Sequence, residues 1–191
     1  MTPERTPSSS RGPGLALIGY RGTGKSTVGR ILANRLNRTF RDCDPEIEAR
    51  AGRPIRAIFA ESGELAFRDW EERTLAELTS GNPAIVLATG GGAVLREINR
   101  HRLRAFGFVV WLTAQPSELA RRLRADPRGL AERPALTPVG TLEEIVQVLE
   151  ARAPLYLELA DAVVETGEKS PDEVADAILE SWKPLQPRGN P

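Results

Sequence analysis

Four short apolar runs punctuate the chain, and the spacing of apolar residues changes between them. Leu15 to Ile18 is unbroken and ends at glycine. A short apolar run bounded by turn residues is how a strand buried on both faces reads. Residues 39–44 (TFRDCD) read as a second strand ending in carboxylates, and 84–88 (AIVLA), 107–112 (GFVVWL) and 161–166 (DAVVET) read as three more. After the first run the period lengthens. From Lys25 to about Leu36, apolar residues recur at Val28, Ile31, Leu32 and Leu36, which is helical spacing. Helices are also predicted over 45–51, 54–60, 64 to about 79, and 117 to about 124. Thr141 begins another, with Glu144 three residues later as a capping box, and Pro171 starts the last.

Strands that alternate with helices predict an α/β protein with a five-stranded parallel sheet covered on both faces. Ligands in such sheets bind beyond the carboxyl ends of the strands. The segment ADPRGLAERPALTPVG is rich in proline, glycine and charge and predicts a mobile lid over about 124–138. The expected organisation is a flexible tail at 1–13, one domain at 14–183 and a frayed tail at 184–191. There is no internal repeat.

Composition narrows the class of protein. The 26 basic residues balance 26 acidic ones, so bulk charge points to neither a nucleic-acid nor a membrane partner. One cysteine and one histidine exclude an intrachain disulfide and argue against a zinc site. No apolar run reaches the ~18 residues of a membrane span, and the first residues lack the apolar core of a signal peptide. A cytoplasmic monomer acting on a small molecule is the expectation. Only Lys25, Lys169 and Lys183 are lysine, the other basic residues being arginine. A lysine kept in such a chain points to a role for a compact ammonium that a planar guanidinium fills poorly.

That lysine sits in GYRGTGKSTVG. Gly19, four residues, then Gly24, Lys25 and Ser26 match the phosphate-loop pattern, with a strand before and a helix after. The glycines let successive N–H groups turn inward, and the helix adds its positive dipole end. Residues Gly22, Thr23, Gly24, Lys25, Ser26 and Thr27 are the predicted nucleotide cradle. Lys25 would reach the β- and γ-phosphates, and the Ser26 hydroxyl would hold Mg²⁺. No Asn-Lys-x-Asp guanine reader is present, and the size fits a small metabolite kinase.

Other motifs admit two readings each. Asp42 and Asp44, at i and i+2 of an extended chain, would point the same way. One would support Mg²⁺ and the other face an acceptor hydroxyl; alternatively, Asp44 caps the next helix. Arg68 and Glu71 share a helix face, either in a binding site or as a surface ion pair. Gly90, Gly91 and Gly92 bring backbone N–H groups near a ligand or make a tight turn. Arg133 in the lid could supply charge to a transferring phosphate or simply be solvated. Arg152 could bind an anion or balance a helix dipole. His101 reads as exposed and idle, and Cys43 as core.

Phosphate loop, DCD, GELAFRDWE, TGGGAV, a lid arginine and RAPLY occur in one order, and the set closely resembles shikimate kinase over about residues 14–182. The resemblance implies a three-layer α/β/α P-loop kinase fold that transfers phosphate from ATP, with Mg²⁺, to the 3-hydroxyl of shikimate. It implies that Asp44 holds the shikimate hydroxyls, that Arg68 and Arg152 bind its carboxylate, and that Gly91 is the central glycine of the acceptor loop. It also implies that Ser26 and Asp42 serve the metal, that Arg133 serves the ATP phosphates, and that Lys169 lies near the adenine. The catalytic set is then Lys25, Asp44 and Arg133. Two rivals stand beside this reading: another small-molecule kinase such as a gluconate kinase, and a nucleotide-binding module without catalysis.

Overall fold

The computed structural model describes residues 12–81, 83–125 and 142–182. Its sheet has five parallel strands: β1 Gly14–Ile18, β2 Phe40–Asp42, β3 Val86–Ala88, β4 Gly107–Thr113 and β5 Ala162–Glu165, in the order β2-β3-β1-β4-β5. Leu15 stands opposite both Val86 and Phe108, so β1 is central. Every residue of β1 and β3 is buried. A strand covered on both faces has no solvated side on which to place polar residues, hence the unbroken apolar runs. The edge strands differ: β2 is three residues long and partly exposed, and Val163 of β5 is half exposed.

Successive side chains of β1 feed opposite layers. Leu15 and Leu17 pack with Val28, Leu32, Ile178 and Trp182, carried by helices α1 (Lys25–Arg35) and α7 (Pro171–Trp182). Ala16 and Ile18 pack with Leu75, Leu103 and Tyr156. Those residues come from α3 (Ile55–Thr79), α4 (Glu97–Phe106) and α6 (Leu142–Leu159). This makes the three-layer α/β/α arrangement, one cluster on each sheet face. The chain runs from β1 out to β2, returns to fill β3 between them, then crosses to β4 and β5. The winding direction therefore reverses at β1, and a crevice opens beyond its carboxyl end.

Several elements depart from the sequence expectations. The second strand ends at Asp42; Cys43 and Asp44 already belong to helix α2 (Cys43–Ala51). Asp42, not Asp44, caps that helix, its side chain accepting from the Asp44 N–H at 3.2 Å. Capping decides this boundary, since an extended Asp can take up an orphan donor of the first turn. The helices expected at 54–60 and 64–79 abut as α3 and are separated by Gly63 at φ 78°, ψ 178°. That region of backbone space is essentially open to glycine alone. Helix α4 was not anticipated. It buries only Asn99, Leu103 and Phe106, with arginines between, so its apolar signal is thin. Asn99 is held by tertiary contact, donating to the Ala93 carbonyl at 3.1 Å. Helix α5 (Pro116–Ala125) and the final helix fall where expected. No helix among the described residues is long and apolar enough to cross a membrane.

Candidate active site

The loop from Gly19 to Gly24 lies at the reversal point, beyond β1. Gly24 caps α1 at φ 87° with no side-chain cap, and the first turn holds no acidic residue. The first-turn N–H groups and the positive dipole end thus meet no capping side chain, an arrangement suited to an anion. Lys25 is 9% exposed, and its Nζ donates to the carbonyls of Gly19 at 2.8 Å and Tyr20 at 2.7 Å. A cation buried this far needs oxygen partners, and phosphate oxygens are of the same kind as those it now holds. The Ser26 hydroxyl donates to Asp42 Oδ2 at 2.5 Å. Burial pushes the Asp42 carboxyl above its ordinary value, opposed chiefly by the Ser26 hydrogen bond.

A cleft of about 660 Å³ opens here. The predicted nucleotide residues from Gly22 to Thr27 line it together with Asp42, Asp44, Gly90, Gly91 and Lys169. Asp42 and Asp44 do reach one cleft, though through a capped helix turn rather than an extended i, i+2 pair. His101 is exposed and meets Glu97 at 3.3 Å, and Cys43 is fully buried with its thiol pushed up by burial. The exposure of His101 and the burial of Cys43 match their sequence readings. Arg133 and the expected lid from residue 126 onward lie outside the described residues.

Arg68, Gly92 and Arg152 are not among the residues that line that cleft. Gly91 packs on the phosphate loop so closely that an added Cβ would stand 3.3 Å from the Gly19 carbonyl oxygen. On the same loop, an added Cβ at Gly92 would stand 2.5 Å from Nη2 of Arg68. Arg68 is 8% exposed, and its Nη1 donates to the buried Glu71 at 2.8 Å. The pair is therefore internal, and the surface-pair reading fails.

Arg152 approaches from α6. Its guanidinium interacts with the hydroxyl of Tyr156, one turn on, and that hydroxyl donates to the Gly91 carbonyl at 2.5 Å. Two arginines on two helices thus converge on one glycine loop, which abuts the phosphate loop. The cleft and the arginines belong to one assembly.

Two residues here escaped sequence reasoning. Tyr156 is buried, stacks on Trp111 with ring centroids 5.5 Å apart, and holds the Gly91 carbonyl. The only sequence hint was its place four residues after Arg152. Arg122, one of several arginines in its stretch, donates to the carbonyls of Gly22 at 3.3 Å and Thr166 at 2.6 Å. It ties the phosphate loop to the end of β5, and nothing in the local pattern sets it apart from its neighbours.

Two outcomes follow for this glycine loop. Gly92 has φ −96°, so Gly92→Ala costs little backbone strain. The new methyl displaces the Arg68 guanidinium instead. Calorimetry should then show binding to the Arg68 pocket weakened about tenfold with nucleotide affinity intact. Tyr156→Phe removes one donor and should cost about 1 kcal/mol in chemical denaturation. Burial pushes the Tyr156 hydroxyl up to about 12, above its unfolded value near ~10. The stability this adds is complete below the unfolded value and lost as pH rises through the folded one. Tyr156→Phe should therefore flatten the alkaline limb of a stability–pH curve.

Known proteins resemble this chain in sequence and fold. A family model described as Shikimate kinase matches residues 21–183. The shikimate kinase of Pseudomonas entomophila (strain L48) is 45% identical over 174 residues, covering 91% of this chain and 98% of its own. That of Rhodopirellula baltica is 41% identical over 167 residues, covering 87% of this chain and 89% of its own. The structure of shikimate kinase from Acinetobacter baumannii in complex with shikimate superposes with a TM-score of 0.83 at 40% identity, covering 93% of this chain and 96% of that one. With the family model spanning most of the described fold and these relatives matched nearly end to end, the chain belongs to the shikimate kinase family.

Proposed function

We propose that this chain transfers the γ-phosphoryl group of ATP to the 3-hydroxyl of shikimate, giving shikimate 3-phosphate and ADP on the route to chorismate and the aromatic amino acids. Family membership supports the reaction. The observation that carries it is the glycine loop: Gly91 packs on the phosphate loop while Arg68 and, through Tyr156, Arg152 engage the same loop. An anionic acceptor gripped there lies next to the nucleotide's terminal phosphate.

Each residue then has a task. The N–H groups of Gly22 to Thr27 receive the ATP phosphates. Lys25 exchanges its loop carbonyls for phosphoryl oxygens and neutralises charge as the group moves. Asp44, on the cleft wall, orients the acceptor hydroxyl and accepts its proton. Arg68 and Arg152 take the shikimate carboxylate, with Gly90, Gly91 and Gly92 shaping the pocket. Lys169 borders the adenine end, and Arg133 adds positive charge from the lid. Transfer is direct and in line, with no phosphoenzyme.

The donor set fits Mg²⁺. A hydroxyl and a carboxylate, Ser26 and Asp42, touch each other on the cleft, and hard oxygens of this kind suit that ion. No group of three acidic, histidine or cysteine ligands that could cage a metal occurs among the described residues. A metal held largely by substrate phosphates and water needs no such cage. Ser26 and Asp42 would hold it, and it would supply positive charge that neutralises the phosphates. We further infer a cytoplasmic monomer, checked by light scattering after gel filtration.

The deciding experiment is a coupled ADP-release assay with ATP, Mg²⁺ and shikimate, run beside gluconate and other sugar acids. Shikimate-dependent ADP release is the expected result. Release with another acid alone, or nucleotide binding without release, overturns the reading in favour of one of the two rivals.

A further inference from the structure

Arg68 holds two carboxylates of its own helix. Its Nη1 donates to Glu71 at 2.8 Å, while Nη2 and Nε both donate to Oε1 of Glu64, at 2.9 and 3.3 Å. Nε and Nη2 form the side-on fork with which a guanidinium takes a carboxylate in bidentate fashion. Two carboxylates of the chain therefore meet at this guanidinium. A third carboxylate cannot join without like-charge repulsion unless one leaves.

Burial says which. The Glu71 side chain is 1% exposed and that of Glu64 is 46% exposed. Moving Glu71 would strand a charge in the interior, whereas Glu64 returns to water at little cost. The backbone agrees. Glu64 follows directly on Gly63, whose φ 78°, ψ 178° interrupts α3. Glu64 thus opens the second helical stretch, one turn before Arg68. Its side chain can swing outward without disturbing a continuous helix, and at a helix start its charge remains favourable.

We propose that Glu64 is an internal stand-in for the substrate carboxylate. It occupies and orients the side-on fork of Arg68 in the empty enzyme and yields that fork when shikimate binds. The inference rests on the reading that Arg68 binds the shikimate carboxylate. Glu64 is a positioning and specificity residue in this scheme, because it contacts Arg68 rather than reacting atoms. It sets a threshold that a carboxylate ligand must exceed, while a neutral analogue cannot repay the displacement.

A double-mutant cycle between Glu64→Gln and Arg68→Gln tests this. In the otherwise native enzyme, Glu64→Gln should lower both the KM and the calorimetric Kd for shikimate by about two- to fivefold, the worth of an exposed ion pair. The KM for ATP should not move with them. In the Arg68→Gln background the same substitution should change shikimate affinity by less than the error. Circular dichroism confirms that each variant is folded, and Glu64→Ala repeats the measurement with a shorter side chain. A raised or unchanged shikimate Kd in Glu64→Gln overturns the proposal, since Glu64 would then assist binding or be idle. A gain that persists without Arg68 also overturns it, because a general charge effect would be at work. If Arg68→Gln itself leaves shikimate affinity unchanged, the carboxylate assignment fails first, a result distinct from failure at Glu64 alone.

Discussion

Lys25→Met leaves a folded protein whose turnover with ATP and shikimate falls by about a thousandfold, the loss that follows removal of one preorganised charge-stabilising donor. Methionine keeps the length of the stem and loses the ammonium. In the structure that ammonium spans the carbonyls of Gly19 and Tyr20 and lies 3.4 Å from the Thr23 hydroxyl. The substitution therefore also loosens the loop, and a drop in melting temperature accompanies the loss of turnover. Single-turnover measurement with saturating ATP separates the two effects. If loosening alone were responsible, saturation would restore the rate. If charge on the moving phosphoryl group is what Lys25 neutralises, the rate stays low. Residual activity within tenfold of native would remove Lys25 from the catalytic set.

Arg68→Ala raises the KM for shikimate by about a hundredfold, the scale of a lost charge-assisted hydrogen-bond pair, and leaves the KM for ATP nearly unchanged. The split arises because Arg68 packs against Gly92 and is not among the residues that line the cleft with Gly22 to Thr27. The same substitution takes from the buried Glu71 its Nη1 donor. Removing one partner of an internal pair costs about 3 kcal/mol, seen as a melting temperature lower by roughly 10 °C. Adding Glu71→Gln should recover part of that stability and none of the shikimate affinity. Equal losses for ATP and shikimate would place Arg68 outside the acceptor site.

Much of this was legible in the chain. The apolar runs mark β1, β3 and β4 because a covered strand tolerates no polar face, whereas the partly exposed edge strands β2 and β5 carry polar residues and a weaker signal. The phosphate loop was legible because its chemistry is local: glycines, one lysine and one hydroxyl within a few residues, between a strand and a helix. The acceptor side was harder. Asp42 and Asp44 were expected to share a direction along a strand, and they share the cleft for a different reason, the turn that Asp42 caps. Read locally, Arg68 and Glu71 favoured a surface ion pair over a binding site. Only the fold shows that both are buried against a glycine loop.

Sequence by itself determined the alternation of strands and helices, the glycine loop between the first strand and helix, and the family, all of which rest on residues adjacent in the chain or on motifs in fixed order. Tertiary structure decided what rests on approach between distant segments. Tyr156 reaches Gly91 across 65 positions and Arg122 reaches Gly22 across 100. Glu64 and Glu71 share Arg68 with sharply unequal burial. Burial and partner choice are properties of the packed interior, and no local pattern encodes which of two carboxylates water can reclaim.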